Sequence, residues 1–175
     1  MRGNVPRLLI FIIAVSALAG LIRLAGMVPA MMQTGIMKRY GSIEEVRKKL
    51  NIRDIRVPSY FPQTLAWPPS RILAQTKPFT AVVMEFRSKS KEDVALIICQ
   101  SASADFAPDG RLDIVQVREK TAYSLKGREA LLEVGACRNN EPCSRMSWNE
   151  GGYRMTVAME STPFDLIKVS ESMFP

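Results

Sequence analysis

Met146-Ser147-Trp148-Asn149-Glu150-Gly151-Gly152-Tyr153-Arg154-Met155-Thr156-Val157-Ala158-Met159 is the stretch whose period decides the fold. Met146 and Trp148 lead into Asn149-Glu150-Gly151-Gly152, and Tyr153, Met155, Val157 and Met159 return on one face against Arg154, Thr156 and Ala158. Residues two apart share a face of a strand, and paired glycines supply the positive φ that a tight hairpin turn requires. The stretch therefore predicts a β-hairpin with one apolar face.

The same period recurs upstream. Ala130, Leu132, Val134 and Ala136 alternate with Glu129, Leu131, Glu133 and Gly135, another strand with a mostly apolar face. Before it, Pro108-Asp109-Gly110 signals a turn, after which Leu112, Ile114 and Gln116 alternate with Asp113, Val115 and Val117. Phe79 to Phe86 and Val94 to Cys99 are apolar, β-rich runs joined by the charged Arg87 to Asp93, which reads as a further hairpin. Downstream the period changes to helical. Thr162 is placed to cap a helix, Pro163 takes its first position and Asp165 the capping-box acid position. Phe164, Ile167, Met173 and Phe174, with Leu166 and Val169, give that helix an apolar side. Strands followed by a terminal helix predict an α+β fold, an antiparallel β-sheet covered on one face by the C-terminal helix.

Ahead of the strands, Ile52 to Ser70 is dense in proline and aromatics. Pro58, Pro62, Pro68 and Pro69 exclude a regular helix or central strand, while Leu65 and the rings beside it are too apolar for a free linker. The segment is expected to wrap the domain and pin itself with its rings, with Tyr60, Phe61 and Trp67 as a candidate partner-binding surface in the alternative reading. A short helix should precede it: Ser42 and Glu45 form a capping box, Ile43, Val46 and Leu50 recur at helical spacing, and Asn51 is a stop.

Leu8 to Ile22, LLIFIIAVSALAGLI, is uncharged and follows a leader carrying Arg2 and Arg7. Two readings stand. As a signal peptide it has an apolar h-region to Ser16 and a small-residue cleavage site at Ala17-Leu18-Ala19. As an anchor its fifteen residues are short against the roughly 20 that cross a bilayer, though Val5, Pro6 and an outward-snorkelling Arg23 extend it. The lack of a polar spacer after the cleavage site leans toward retention. Leu24 to Met37 is also uncharged and suits a membrane surface or a partner. The organisation expected is therefore residues 1–37 as signal or transmembrane anchor, 38–56 as a basic neck and 57–175 as an extracytoplasmic domain.

The formal net charge of +7 hints at nucleic acid until it is located. Residues 1–23 contribute +3 and residues 38–56 contribute +4, from seven basic and three acidic side chains. Residues 57–175 hold fourteen of each sign and contribute zero. The basic excess lies in the targeting segment and neck, where anionic lipid headgroups would attract it. Membrane is the expected partner, together with another envelope protein or a lipidic ligand, and nucleic acid is not.

Chemistry is sparse. The chain has no histidine, which removes Ser-His and Cys-His pairs and histidine metal sites. Asp105, Asp109 and Asp113 recur at every fourth position, whereas EF-hand ligands alternate at every second, so a solvated turn is expected. Ser88 and Ser90 beside Lys89 and Lys91 read as a charged hairpin rather than a Ser-Lys dyad. No catalytic residue, metal ligand or cofactor is expected. Cys137 and Cys143 bracket Arg-Asn-Asn-Glu-Pro between two strands, a position where a disulfide can form in an oxidising compartment; reduced thiols and a redox switch remain as alternatives. Cys99, ending an apolar run, reads as small, buried, free and inert.

Gly127-Arg128-Glu129-Ala130, Trp148 with Gly151-Gly152-Tyr153, and Leu166-Ile167-Lys168-Val169-Ser170-Glu171-Ser172 resemble the uncharacterised extracytoplasmic domain found behind the membrane helix of many bacterial anti-sigma factors. Val57-Pro58-Ser59-Tyr60-Phe61-Pro62 is similar to that family's opening proline motif without its usual glycine. More distantly, the pattern resembles the lipoprotein-sensing periplasmic regulators of envelope stress. The resemblance implies a sheet-and-helix sensor or interaction module outside the cytoplasmic membrane. With seven residues before Leu8 and no histidine, the expectation is the outer module alone, without a zinc-binding anti-sigma head. The runner-up expectation is a structural accessory subunit that uses Leu24 to Met37 and the aromatic segment to join a membrane complex.

Overall fold

A computed structural model describes residues 37–91, 93–108 and 110–174. Leu8 to Ile22, all of Leu24 to Met37 except Met37, and Asp109 of the turn signal lie outside the described residues.

The chain enters at strand β1 (Lys38–Tyr40) and helix α1 (Ile43–Leu50), then strands β2 (Arg71–Gln75), β3 (Ala81–Arg87) and β4 (Val94–Ser101). A 3₁₀ turn (Gly110–Leu112) precedes β5 (Ile114–Leu125), β6 (Arg128–Cys137), β7 (Pro142–Glu150), β8 (Tyr153–Met159) and helix α2 (Pro163–Glu171). All eight strands form one antiparallel sheet in the order β1-β2-β3-β4-β8-β7-β6-β5, so the α+β expectation holds. Two meanders meet along β4 and β8. Because β8 takes the place beside β4, the chain leaving β4 must cross four strand spacings, about 19 Å at ~4.8 Å each, to begin β5 at the far edge. That crossover, residues 102–113, shapes the second face of the sheet.

Strand alternation sorts the side chains. Met84, Phe86, Leu96, Ile98, Met146, Trp148, Met155 and Val157 point to the first face and are buried there. Ile43 and Val46 of α1, Ile52, Ile55 and Leu65 of the proline-rich segment, and Leu166, Val169 and Met173 of α2 cover them. Two helices and an irregular wrap thus close this face, and the wrap is stapled by one buried amide. Gln100 accepts from the Arg56 N–H at 3.1 Å and donates to the Asp54 carbonyl at 2.5 Å.

Local chemistry explains the helix ends. Ser42 Oγ accepts from Glu45 N at 3.1 Å, and Glu45 Oε2 accepts from Gly41 N at 2.7 Å, a capping box displaced by one residue at its return bond. In α2 the expectation needs correction. Thr162 makes no side-chain cap bond and Pro163 alone sets the start. Phe164 is 74% exposed; the buried stripe is Leu166, Val169, Ser170 and Met173, spaced i, i+3, i+4, i+7, and a residue two places before that stripe lies on the opposite side. The hairpin turn is as expected, with Gly151 at φ +59° and Gly152 at +81° between β7 and β8.

Residues Met37–Pro175 form one compact unit. The stretch expected as a neck supplies an edge strand, which pairs Lys38 with Ala74 and Tyr40 with Ile72, and a helix whose Val46 is fully buried.

Candidate functional site

The second face differs from the first. Val83, Ile97 and Cys99 form a small apolar cluster there, with Phe106 and Leu112 of the crossover laid over it and Phe79 packed on Phe106 at 5.4 Å. Beyond that cluster, toward β5, the crossover and the sheet border a half-open cavity of about 300 Å³. Its floor is the sheet and its wall the crossover, including Asp105, Phe106 and Leu112.

Register places the floor residues. One cross-strand row runs Arg71, Glu85, Ile97, Ala158, Arg145, Glu133, Lys120 over seven strands. The next row brings Thr156 opposite Ser147, and Ser147 is two residues from Arg145 on the same face. Glu133 is the hub. Arg145 donates to its Oε2 from Nε at 2.8 Å and from Nη2 at 2.7 Å, and Lys120 Nζ lies 3.1 Å from its Oε1. Burial pushes the Glu133 carboxyl upward, but the hydrogen bonds from Arg145 and Lys120 outweigh that and hold it below the ordinary carboxylate range. Ser147 and Thr156 hydroxyls stand 3.5 Å apart, too far for a strong O–H···O bond, so both have capacity left for a ligand. Arg154, half-buried two residues along β8 from Thr156, makes no ion pair among the described residues. The floor therefore carries three cations against one carboxylate. On the wall, Asp113 lies 3.7 Å from Arg138 and Asp105 is exposed. Among the described residues no three His, Cys, Asp or Glu side chains are grouped to hold a metal ion.

The sequence-predicted site residues lie elsewhere. Cys137 and Cys143 form a disulfide, with Cα atoms 5.5 Å apart, inside the normal range of about 4.4–6.8 Å. It closes the turn between β6 and β7 and belongs to the apolar cluster beneath the crossover. That turn is tied to its neighbours by Lys91, 3.2 Å from both Glu141 and Glu160, and by Asn139 donating to Glu160 at 2.9 Å. With Lys91 engaged by two carboxylates, the residues weighed as a Ser-Lys dyad are instead a charged hairpin end, Ser88 Oγ lying 3.0 Å from Ser90 Oγ. Tyr60, Phe61 and Trp67 sit on the first-face side. Phe61 packs between Trp67 at 5.0 Å and Phe86 at 5.1 Å, leaving Trp67 58% and Tyr60 39% exposed. Cys99 is free and buried, and burial pushes its thiol up to about 12.

Compared with family models, curated proteins and solved structures, the chain matches none.

The cavity residues had a partial signal in the sequence. Arg154, Thr156, Glu133 and Ser147 occupy the polar phase of strands that lie inside the sheet, where a solvated face is expected. What the period does not reveal is that the crossover covers that face.

Proposed function

We propose that the chain is a bacterial envelope protein whose domain acts, without catalysis, as a binding module on the extracytoplasmic side of the membrane. The cavity over β6, β7 and β8 carries this reading. Small-molecule sites are concave, of roughly 300–1,000 Å³, with a few convergent polar groups among apolar ones. This cavity has that composition: Ile97, Phe106, Leu131 and Ala158 beside Ser147, Thr156 and Arg154. Binding rather than proton transfer suits Glu133, because a carboxylate held well ionised by two cations is a weak base at neutral pH. The Cys137–Cys143 bond supports an oxidising compartment, and Leu8 to Ile22 supplies the export or anchoring signal. This reading agrees with the resemblance to the extracytoplasmic domain of anti-sigma factors.

The ligand arm is tested by titrating the full chain, in lipid nanodiscs, with a library of neutral, cationic and anionic fragments while following the methyl resonances of Ile97, Leu131 and Ala158. Saturable shifts at those methyls are expected. A library that shifts none of them overturns the binding-module reading. For localisation, the intact mass of the chain recovered from a bacterial host, denatured and alkylated without reduction, should show one modified thiol; three modified thiols would overturn the extracytoplasmic assignment.

A second reading, an accessory subunit of a membrane complex, is favoured by the exposure of Trp67 and Tyr60. Deleting residues 24–37 would then abolish co-purification of partners, whereas a soluble-ligand module would be indifferent.

A further inference from the structure

Resting on the binding-module reading, we infer that the cavity selects a small organic anion, its charged head seated between Arg154, Ser147 and Thr156 and its apolar body directed toward Ile97 and Phe106.

The polarity of the floor supplies the direction. Along β8, Arg154, Thr156 and Ala158 occupy one face in sequence, and Ile97 lies across from Ala158 on β4. The floor therefore passes from guanidinium to hydroxyl to hydrocarbon over roughly 14 Å, four residues at ~3.4 Å each. Ser147, opposite Thr156 on β7, adds a second hydroxyl at the polar end. An amphipathic ligand laid along this gradient satisfies both ends.

The sign of the head follows from what is already engaged. Glu133 is occupied by Arg145 and Lys120, so neither the carboxylate nor those two cations is free to lead recognition. Arg154 is different. Its guanidinium carries five donors and a permanent charge, it is half-buried, and it makes no ion pair among the described residues. A carboxylate, sulfonate or phosphonate can take two parallel hydrogen bonds from such a fork, the strongest common arrangement for an anion, and accept from the two hydroxyls beside it. A cationic ligand would meet Arg154, unpaired among the described residues, and a floor whose three cations outnumber its one carboxylate. The acids on the wall do not reverse this, since Asp113 is paired with Arg138 and Asp105 lies at the solvent rim. Size follows from the cavity: at about 300 Å³ it stands at the lower bound of ligand sites, roughly 300 Å³, which fits a body of one ring or a short alkyl chain.

The test uses the full chain in lipid nanodiscs with three probes of nearly equal shape: benzoate, its neutral isostere benzamide, and the cation benzamidine. Benzoate should shift the Ile97 and Ala158 methyl resonances saturably and bind at least about tenfold more tightly than benzamide, the difference expected for one charge-assisted contact. Benzamidine should bind more weakly than both. Arg154→Gln should remove the benzoate preference over benzamide with the urea midpoint unchanged, and Arg154→Lys, which keeps the charge without the fork, should restore that preference only in part. Equal binding of benzoate and benzamide, or a benzoate preference that survives Arg154→Gln, overturns the anion assignment while leaving the binding-module reading standing. Absence of cavity shifts from any of the three overturns the assignment, and the wider library then decides whether the reading fails with it.

Discussion

Gly135 shows how closely the second face is built. A Cβ at this position would collide with the Gln116 carbonyl oxygen and press on Ile114 Cγ2, where β5 bulges against β6 between Ile114 and Gln116. The obstacle is backbone and cannot rotate away. Gly135→Ala should therefore cost roughly 1–3 kcal/mol, the usual penalty of forcing extra volume into packed structure, read as a lower urea midpoint with an unchanged slope. A midpoint equal to the parent would show that the bulge relaxes freely. Cys99 sits at the other extreme of residue behaviour, a small side chain with nothing to react. Because the thiolate is the nucleophile and burial lifts this thiol to about 12, Cys99 should be unmodified by a thiol reagent at pH 8 until the domain is unfolded. Rapid labelling under native conditions would place it in a different environment.

Among elements, the β6–β7 turn carries the clearest energetic consequence. The Cys137–Cys143 bond spans six positions, and closing so short a loop restricts the unfolded chain by about 2 kcal/mol. Replacing both cysteines with serine should lower stability by about that amount, measured by urea unfolding; a larger loss would mean that the apolar cluster beneath the crossover depends on the bridge as well. The sequence announces this turn, the β7–β8 hairpin and the β3–β4 hairpin because each couples a period of two with strong turn residues. It is silent on β1 and β2, which have three and five residues, too few for a period to show, and which flank a proline-rich run. It understates β5. Ile114 to Val117 reads as strand, but Arg118-Glu119-Lys120-Thr121 carries no apolar alternation, since an exposed edge strand needs none. The cavity was least legible. Its polar residues are the solvated phase of β6, β7 and β8, and only the strand order, with β8 inserted beside β4, sends the crossover over them.

At the scale of the whole molecule, one sheet serves two purposes: the first face holds a continuous apolar core, and the second holds an ionic row beneath a partial roof. Acid should therefore separate the two faces. Glu133 has a folded-state pKa below its ordinary 4.5, so its contribution is fully present above that value and is lost as pH falls below it through the folded pKa. The parent should lose stability below about pH 4.5 more steeply than Glu133→Gln; parallel profiles would remove Glu133 from the account. The core face makes a different demand, on chain length. Ile43, Val46, Ile52 and Ile55 all precede Val57 and are buried in the same core as Met84, Leu96 and Val157. At about 1.5–3 kcal/mol for each buried aliphatic side chain, removing four forfeits roughly 6–12 kcal/mol, as much as the ~5–15 kcal/mol that holds an ordinary domain folded. The comparison decides the outcome: residues 57–175 alone should lack a cooperative urea transition and near-ultraviolet circular dichroism, while residues 37–175 show both. A cooperative transition in the shorter chain would mean that the sheet and α2 close the first face without α1 and the leading wrap.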